Sequence, residues 1–217
     1  MYVKNRMTSN PYTISPDATI AEALDLMRSK NIRRLPVVKN GKLVGIVTEK
    51  EMQEVSPSKA TTLSIFELNY LLAKTKVSAV MTKEVITVSP DALLEEAAVL
   101  MRDNRVGALP VVQDGKVVGI ITETNIFDAF IDLLGFREIG TRITVEVDDA
   151  PGVLANVAGV IKEFGANITH VVVYRSGGGK SNIVIRVNTI NTDNITEALE
   201  KQGYKVTSVL KNNNSIQ

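Results

Sequence analysis

The sequence predicts a chain of mixed α+β and α/β class. Two βαββα copies pair about a pseudo-twofold axis, and a ferredoxin-like βαββαβ domain follows them. Three observations carry this reading: a long stretch recurs without a gap, each copy holds a hairpin dipeptide between β-branched runs, and the C-terminal part changes to a split βαβ pattern.

The recurrence comes first. Residues 3–52 reappear as residues 77–126 at a fixed offset of 74, with about half of the paired positions identical. Met7-Thr8 pairs with Met81-Thr82, Ser15-Pro16-Asp17-Ala18 with Ser89-Pro90-Asp91-Ala92, and Leu35-Pro36-Val37-Val38 with Leu109-Pro110-Val111-Val112. Gly45-Ile46-Val47-Thr48-Glu49 pairs with Gly119-Ile120-Ile121-Thr122-Glu123.

Each copy reads as strand, helix, strand, turn, strand, helix. Ile20, Ala23, Leu24 and Met27 fall on one helical face, and Leu94, Ala97, Ala98 and Met101 repeat that stripe. Asn40-Gly41 and Asp114-Gly115 are the dipeptides that suit a type I′ turn, since both central residues need positive φ. One copy alone is marginal as a free domain, so the two are expected to bury each other and leave a cleft between them. Ile65, Leu68, Leu71 and Leu72 predict a helix in the segment joining the copies.

Beyond the repeat, Ile143, Val145 and Val147 alternate as a half-buried strand. Pro151-Gly152 turns into a helix with Leu154, Val157, Ile161 and Phe164 on one side, ended by Gly165. Strands at 167–174 and 182–188 flank Ser176-Gly177-Gly178-Gly179. A helix near 194–202 is closed by Gly203, and Val206 to Leu210 makes a last strand. The expected domains are therefore 1–58, a connecting helix at 59–76, 77–135, 138–210, and a disordered tail at 211–217.

Composition narrows the function. A net charge of +1 gives no field for a polyanion, so nucleic acid is not an expected partner. The absence of cysteine removes disulfides, thiolate metal sites and a cysteine nucleophile. The start is polar, unlike a signal peptide, and no apolar run reaches the length of a membrane span, so the expected compartment is the cytoplasm. His170 is the single histidine, and nothing in the sequence converges on it as metal ligands or as a catalytic partner. Asp148-Asp149 are strand neighbours that point to opposite faces and read as solvated carboxylates. The chain is not expected to be an enzyme.

The order Met-Thr, Ser-Pro-Asp-Ala, Leu-Pro-Val-Val, Asn/Asp-Gly-Lys, Gly-hydrophobic-hydrophobic-Thr resembles the CBS motif, here in tandem over residues 1–130. Residues 138–210 resemble an ACT domain through Val147-Asp148-Asp149-Ala150-Pro151-Gly152-Val153-Leu154 and Gly165-Ala166-Asn167-Ile168. A CBS pair followed by ACT at this length is similar to the family of acetoin utilisation proteins. That resemblance implies a regulatory protein with an adenine nucleotide as its ligand, no cofactor, a homodimeric state, and a partner protein in acetoin or acetate metabolism.

The resemblance also implies site residues, each with a plainer reading beside it. A ribose-binding Thr-x-x-Asp/Asn segment corresponds to Thr48 with Glu51 and to Thr122 with Asn125. Thr48 with Glu51 is equally a capping box, whereas asparagine is a poorer box partner and offers a diol both donor and acceptor. Arg33 and Arg34 occupy the phosphate-binding place before the Leu-Pro turn, or are a solvated pair. Ile14, Ala18 and Ile32 would face adenine over Thr122 and Asn125, and Ala92, Val106 and Gly107 over Thr48, unless all are core. One site therefore holds the arginines and the other the better ribose clamp, so single occupancy is one expected outcome. In the ACT part, Asp149, Gly152, Val153 and Leu154 would hold an amino-acid effector with Asn167 facing them from the next strand, or form a plain turn and helix start. A scaffold that binds no nucleotide, and an amino-acid sensor acting through the ACT part, stand as the alternatives.

Overall fold

The computed structural model describes residues 1–55 and 73–213. Ile65, Leu68, Leu71 and Leu72, the positions of the expected connecting helix, lie outside them. The described residues form two compact units, Met1–Phe127 and Asp128–Gln217.

In the first unit the repeat builds two matching halves. Copy one has helix α1 (Ile20–Lys30), strands β2 (Arg34–Lys39) and β3 (Lys42–Thr48), and helix α2 (Glu49–Val55). Copy two has α3 (Leu94–Asn104), β4 (Ala108–Gln113), β5 (Lys116–Thr122) and α4 (Glu123–Leu133). Asn40 and Gly41 take φ of 51° and 77°, and Asp114 and Gly115 take 50° and 76°, so each hairpin closes with two left-handed residues as its dipeptide requires. The helical stripes also hold, with Ile20, Ala23 and Met27 buried in one copy and Leu94, Ala97 and Met101 in the other.

The opening strand of each copy is shorter than the pattern suggested. It shrinks to a single parallel bridge, Ile14 to Val37 in copy one and Val88 to Val111 in copy two. The residues ahead of it cross to the other copy instead. The Val3 N–H donates to the Ala92 carbonyl and the Lys4 N–H to Pro90, while the Val77 N–H donates to Ala18 and the Ser78 N–H to Pro16. Val3 and Val77 are fully buried by this exchange, each removal of an aliphatic side chain from water contributing about 1.5–3 kcal/mol.

The crossing arms then extend the partner's sheet. β1 (Thr8–Ser9) pairs with β5, and Thr82 bridges Ile46 on β3. Where they meet, Gly119 lies against the Met7 side chain and Gly45 against Met81, so a Cβ at either position would displace a methionine. The Met-Thr and Gly-x-x-Thr motifs of the repeat are the two halves of this contact.

The second unit is a four-stranded antiparallel sheet ordered β7-β8-β6-β9, built from β6 (Gly140–Asp148), β7 (Ile168–Gly177), β8 (Lys180–Val187) and β9 (Lys205–Asn212). Helices α5 (Val153–Glu163) and α6 (Asp193–Lys201) complete the βαββαβ order. One sheet face buries Ile143, Val145, Val147, Ile183, Ile185 and Val187 against Val157, Val160, Ile161, Ile195 and Leu199.

Two expectations change here. Leu154 and Phe164 are each 44% exposed, and the buried face of α5 is Val157, Val160 and Ile161, with Val153 packed beside them. The last strand runs through Asn212, pairing Gly140 with Asn212 and Thr141 with Lys211, so the expected tail loses its first residues to the sheet.

Candidate functional site

A cavity of about 540 Å³ opens in the first unit, lined from both copies. Copy one supplies Asn31 to Arg34 and the arm Thr8 to Tyr12, and copy two supplies Gly107, Ile120 and Thr122 to Thr124. The volume lies within the usual range of small-molecule sites.

Helix termination puts the arginines there. α1 ends on Asn31 in the left-handed conformation (φ 51°), its N–H donating to the Arg28 and Met27 carbonyls, and the Ile32 N–H returns to Met27 at 2.9 Å. The chain leaves at an angle that presents Arg33 and Arg34 before β2, and the Glu49 N–H donates to the Arg33 carbonyl at 2.9 Å. Copy two makes the same turn with Arg105 (φ 55°), then has Gly107 where copy one has Arg33. That glycine makes room for an arginine: a Cβ there would lie 2.5 Å from Arg34 Nη2 and 2.9 Å from Glu123 Oε2. Arg34 thus reaches across to copy two, beside one carboxylate at the cavity wall.

The two Thr-containing segments are built alike but end differently. In copy one, Glu51 Oε2 accepts from the Thr48 N–H and Oγ1–H, both at 2.8 Å, and the Glu51 N–H donates to Thr48 Oγ1 at 3.2 Å. In copy two, Asn125 Oδ1 accepts from the Thr122 N–H at 2.9 Å and from its hydroxyl at 2.8 Å, and the Asn125 N–H donates to Thr122 Oγ1 at 3.3 Å. The expectation that asparagine would box less well fails, because a single amide oxygen suffices for both bonds. The difference lies in the second atom. Glu51 Oε1 accepts from Thr82 Oγ1 at 2.8 Å, closing the copy-one segment. In copy two Asn125 keeps Nδ2, a donor with no hydrogen bond among the described residues; Thr122 lines the cavity, and Asn125 stands behind it outside the lining.

The remaining candidates divide. Ile32 and Gly107 line the cavity. Ile14 is 9% exposed and sits with Ala18 in the copy-one core, and the Ala18 and Ala92 carbonyls are occupied by the crossing arms. Packing therefore accounts for Ile14 and Ala18, and Ala92 and Val106 are half-buried outside the cavity lining. The arm was missed by sequence reasoning. Its signal was the repeated Met-Thr, whose threonine enters the partner's sheet and carries Asn10, Pro11 and Tyr12 to the cavity. Tyr12 is 51% exposed, with Lys30 Nζ 5.1 Å from its ring centre.

In the second unit, Gly152 takes φ 85° and opens α5 without a side-chain cap. Asp149 is not free: its carboxylate accepts from Arg175 Nε at 3.0 Å, and Asp148 pairs with Lys180 at 2.6 Å, raising the Lys180 pKa through that hydrogen bond. Asn167 does not face this turn. β6 and β7 each pair antiparallel with β8, with Asp148 opposite Lys180 and both Thr141 and Ile168 opposite Val187. Asn167 therefore lies at the far end of the sheet, roughly 20 Å away at about 3.3 Å per residue. Among the described residues no group of three or more His, Cys, Asp or Glu side chains could hold a metal ion, and no helix is long and apolar enough to cross a membrane.

Residues 3–57 and 77–132 match the CBS domain, and residues 141–203 match the ACT domain. Among curated relatives, the chain is 30% identical over 142 residues to the CBS domain-containing protein YhcV of Bacillus subtilis, covering 65% of this chain and 92% of the relative. It is 43% identical over 126 residues to a homoserine O-acetyltransferase of Methanococcus vannielii, spanning 57% of this chain but only 24% of that enzyme. Among solved structures, a protein assigned to acetoin utilization, AcuB, from Vibrio cholerae has a TM-score of 0.53 at 33% identity, covering 63% of this chain and 94% of that one. The CBS domain pair of protein MJ0100, in complex with 5′-methylthioadenosine and S-adenosyl-L-methionine, has a TM-score of 0.50 at 30% identity, covering 60% and 95%. CBSX2 in complex with AMP has a TM-score of 0.50 at 30% identity, covering 60% and 96%.

Proposed function

The chain belongs to the CBS-domain family and carries an ACT domain after its CBS pair, and from that membership we propose a non-catalytic regulatory protein that senses an adenine nucleotide. The observation that carries this is the cavity that gathers Arg33 and Arg34 of copy one with Thr122 of copy two, whereas the sequence reading divides the arginines and the better ribose clamp between two sites. Two guanidinium forks against the one carboxylate of Glu123 leave a net positive wall suited to a phosphate or to the carboxylate of an adenosyl ligand. Thr122 offers a ribose a hydroxyl partner, and Asn125 Nδ2 becomes a second one once its side chain turns toward the cavity, with Ile32 and Tyr12 as apolar surface for adenine. Relatives of the same fold bind AMP and S-adenosyl-L-methionine, which supports the adenosyl class.

Nucleotide that contacts both copies ties them together, biasing one arrangement of the pair by its differential affinity. That arrangement would be read by a partner protein, in acetoin or acetate metabolism if the likeness to AcuB extends that far, with the chain acting as a cytoplasmic homodimer. The copy-one segment is the weaker site, since Thr82 already holds Glu51. The uncapped start of α5 keeps the amino-acid-sensor reading alive, although Asp149 and Asn167 no longer support it within one chain.

The test is thermal melting of the whole protein with AMP, ADP, ATP and S-adenosyl-L-methionine, beside GMP and free amino acids. A ligand at about 100 times its dissociation constant stabilises by roughly 2.7 kcal/mol. Stabilisation confined to adenosine compounds and lost in Thr122→Ala and Arg34→Ala is the expected result. No shift with any of them overturns the proposal, leaving an amino-acid sensor if an amino acid stabilises and a scaffold if nothing does.

A further inference from the structure

We infer that the open face of the C-terminal sheet is a binding site for a small organic monoanion with an apolar body, such as a medium-chain or aryl-substituted carboxylate. The face of the sheet turned away from α5 and α6 carries a groove of about 510 Å³. The register places His170 opposite Arg186 and Arg186 opposite Arg142, so three basic side chains stand in one row across β7, β8 and β6. Like charges set directly opposite on neighbouring strands repel, and the Arg142–Arg186 pair has no carboxylate between its members.

Arg186 is only 5% exposed, yet the one hydrogen bond of its guanidinium runs from Nη1 to the Glu138 carbonyl at 2.9 Å, and its Nε is buried with no partner. The Arg142 guanidinium has no hydrogen bond or ion pair among the described residues. The Glu138 carboxylate sits at the His170 end of the row, 3.6 Å from Nδ1, and Lys211 pairs with Asp193 at 3.0 Å, so no carboxylate pairs with either guanidinium among the described residues. A buried guanidinium with an idle N–H beside a second unpaired guanidinium is an incomplete anion site, because a carboxylate would accept from both forks at once.

The rest of the groove specifies the body of the ligand. Phe130, Leu134, Phe136, Val172, Val184 and Leu210 line it, and Phe130, Phe136 and Leu210 are more than half exposed. The turn after α4 is fitted to this face. Gly135 is buried at φ 60°, and a Cβ on it would run into the His170 ring. A second copy of the chain is a poor occupant, since twofold stacking of this face would bring two such basic rows together. The groove also lies at the end of the sheet away from the Gly152 turn, as Arg142 and Arg186 pair near the start of β6.

Calorimetric titration of the full chain with octanoate and 3-phenylpropanoate tests this, with 1-octanol as the uncharged counterpart and acetate as the anion without a body. At least one of the two long acids should bind one per chain with a dissociation constant of about 1 mM or tighter, and octanol and acetate at least about tenfold more weakly. Arg142→Gln should weaken the acid at least about tenfold while leaving the ligand-free melting temperature unchanged or raised, because it removes one cation from the row. Arg186→Gln removes a buried group and can fail to fold, so Phe136→Ser, at an exposed position, serves as the second variant and should also weaken binding. Binding of neither acid, equal binding of octanoate and octanol, or full affinity in Arg142→Gln would each overturn the inference.

Discussion

Alanine at Gly45 and at Gly119 makes the same chemical change at two positions related by the repeat, and the two costs should differ. At Gly45 a Cβ would lie 2.6 Å from Met81 Sδ and 3.0 Å from the Thr82 carbonyl oxygen. That carbonyl accepts the Ile46 N–H at 3.0 Å, so it can retreat only by lengthening a hydrogen bond between the copies. At Gly119 the three atoms nearest the Cβ all belong to the Met7 side chain, whose thioether can rotate aside. Overpacking against a fixed group costs about 1–3 kcal/mol, and loss of a backbone hydrogen bond adds about 0.5–1.5 kcal/mol. Neither glycine has a positive φ, so both alanines recover about 0.4–1 kcal/mol by restricting the unfolded chain. The net expectation is a loss of about 2 kcal/mol for Gly45→Ala and close to zero for Gly119→Ala. Urea unfolding followed by circular dichroism reads this directly. With a slope of about 2 kcal/mol per molar, the Gly45→Ala midpoint should fall by about 1 M. Equal losses, or a larger loss for Gly119→Ala, would refute the arm-exchange contact as described.

Gly135→Ala should cost about 2–4 kcal/mol, combining a left-handed φ with a collision against the His170 ring, and thermal unfolding of the C-terminal unit should show it. Glu22 accepts from the Thr19 backbone N–H and hydroxyl, which holds its pKa below the ordinary 4.5. The stability it contributes is complete above that pH and lost as pH falls through the lowered value, so Glu22→Gln should flatten the acid limb of a stability–pH curve. An unchanged limb would contradict the bond. Gly107→Val should leave stability within about 1 kcal/mol, because the groups it meets are the ends of long side chains, while pushing Arg34 from the cavity wall. Nucleotide affinity measured by titration should then drop as it does for Arg34→Ala.

Much of the fold could be read from the sequence because its signals are local or duplicated. Asn40-Gly41 and Asp114-Gly115 demand positive φ whatever surrounds them, and the spacing of Ile20, Ala23 and Met27 specifies a face without knowing its partner. What failed depended on long-range placement. The crossing arms need to know that Val3 docks beside Ala92 rather than in its own copy, and no periodicity records that. Leu154 and Phe164 fit the helical stripe, but only the position of α5 over the sheet decides that Val160 is covered and they are not. Asn167 was placed by family likeness, and the parallel relation of β6 and β7 set it at the other end.

The site was half readable for the same reason. Arg33, Arg34, Ile32, Gly107 and Thr122 are motif positions that the pseudo-twofold brings together, whereas Ile14 and Ala18 serve the core and the arm. The row of His170, Arg186 and Arg142 was invisible in sequence, since their alignment depends on strand register across three separate segments.

The most direct measurement of the central claim is the stoichiometry of AMP binding to the intact protein by titration calorimetry, repeated with Arg34→Ala. The open copy-two clamp beside the arginines, and the copy-one segment closed by Thr82, predict one AMP per chain, abolished or strongly weakened in the variant. Two equivalent sites per chain, no binding, or one site untouched by Arg34→Ala would contradict it.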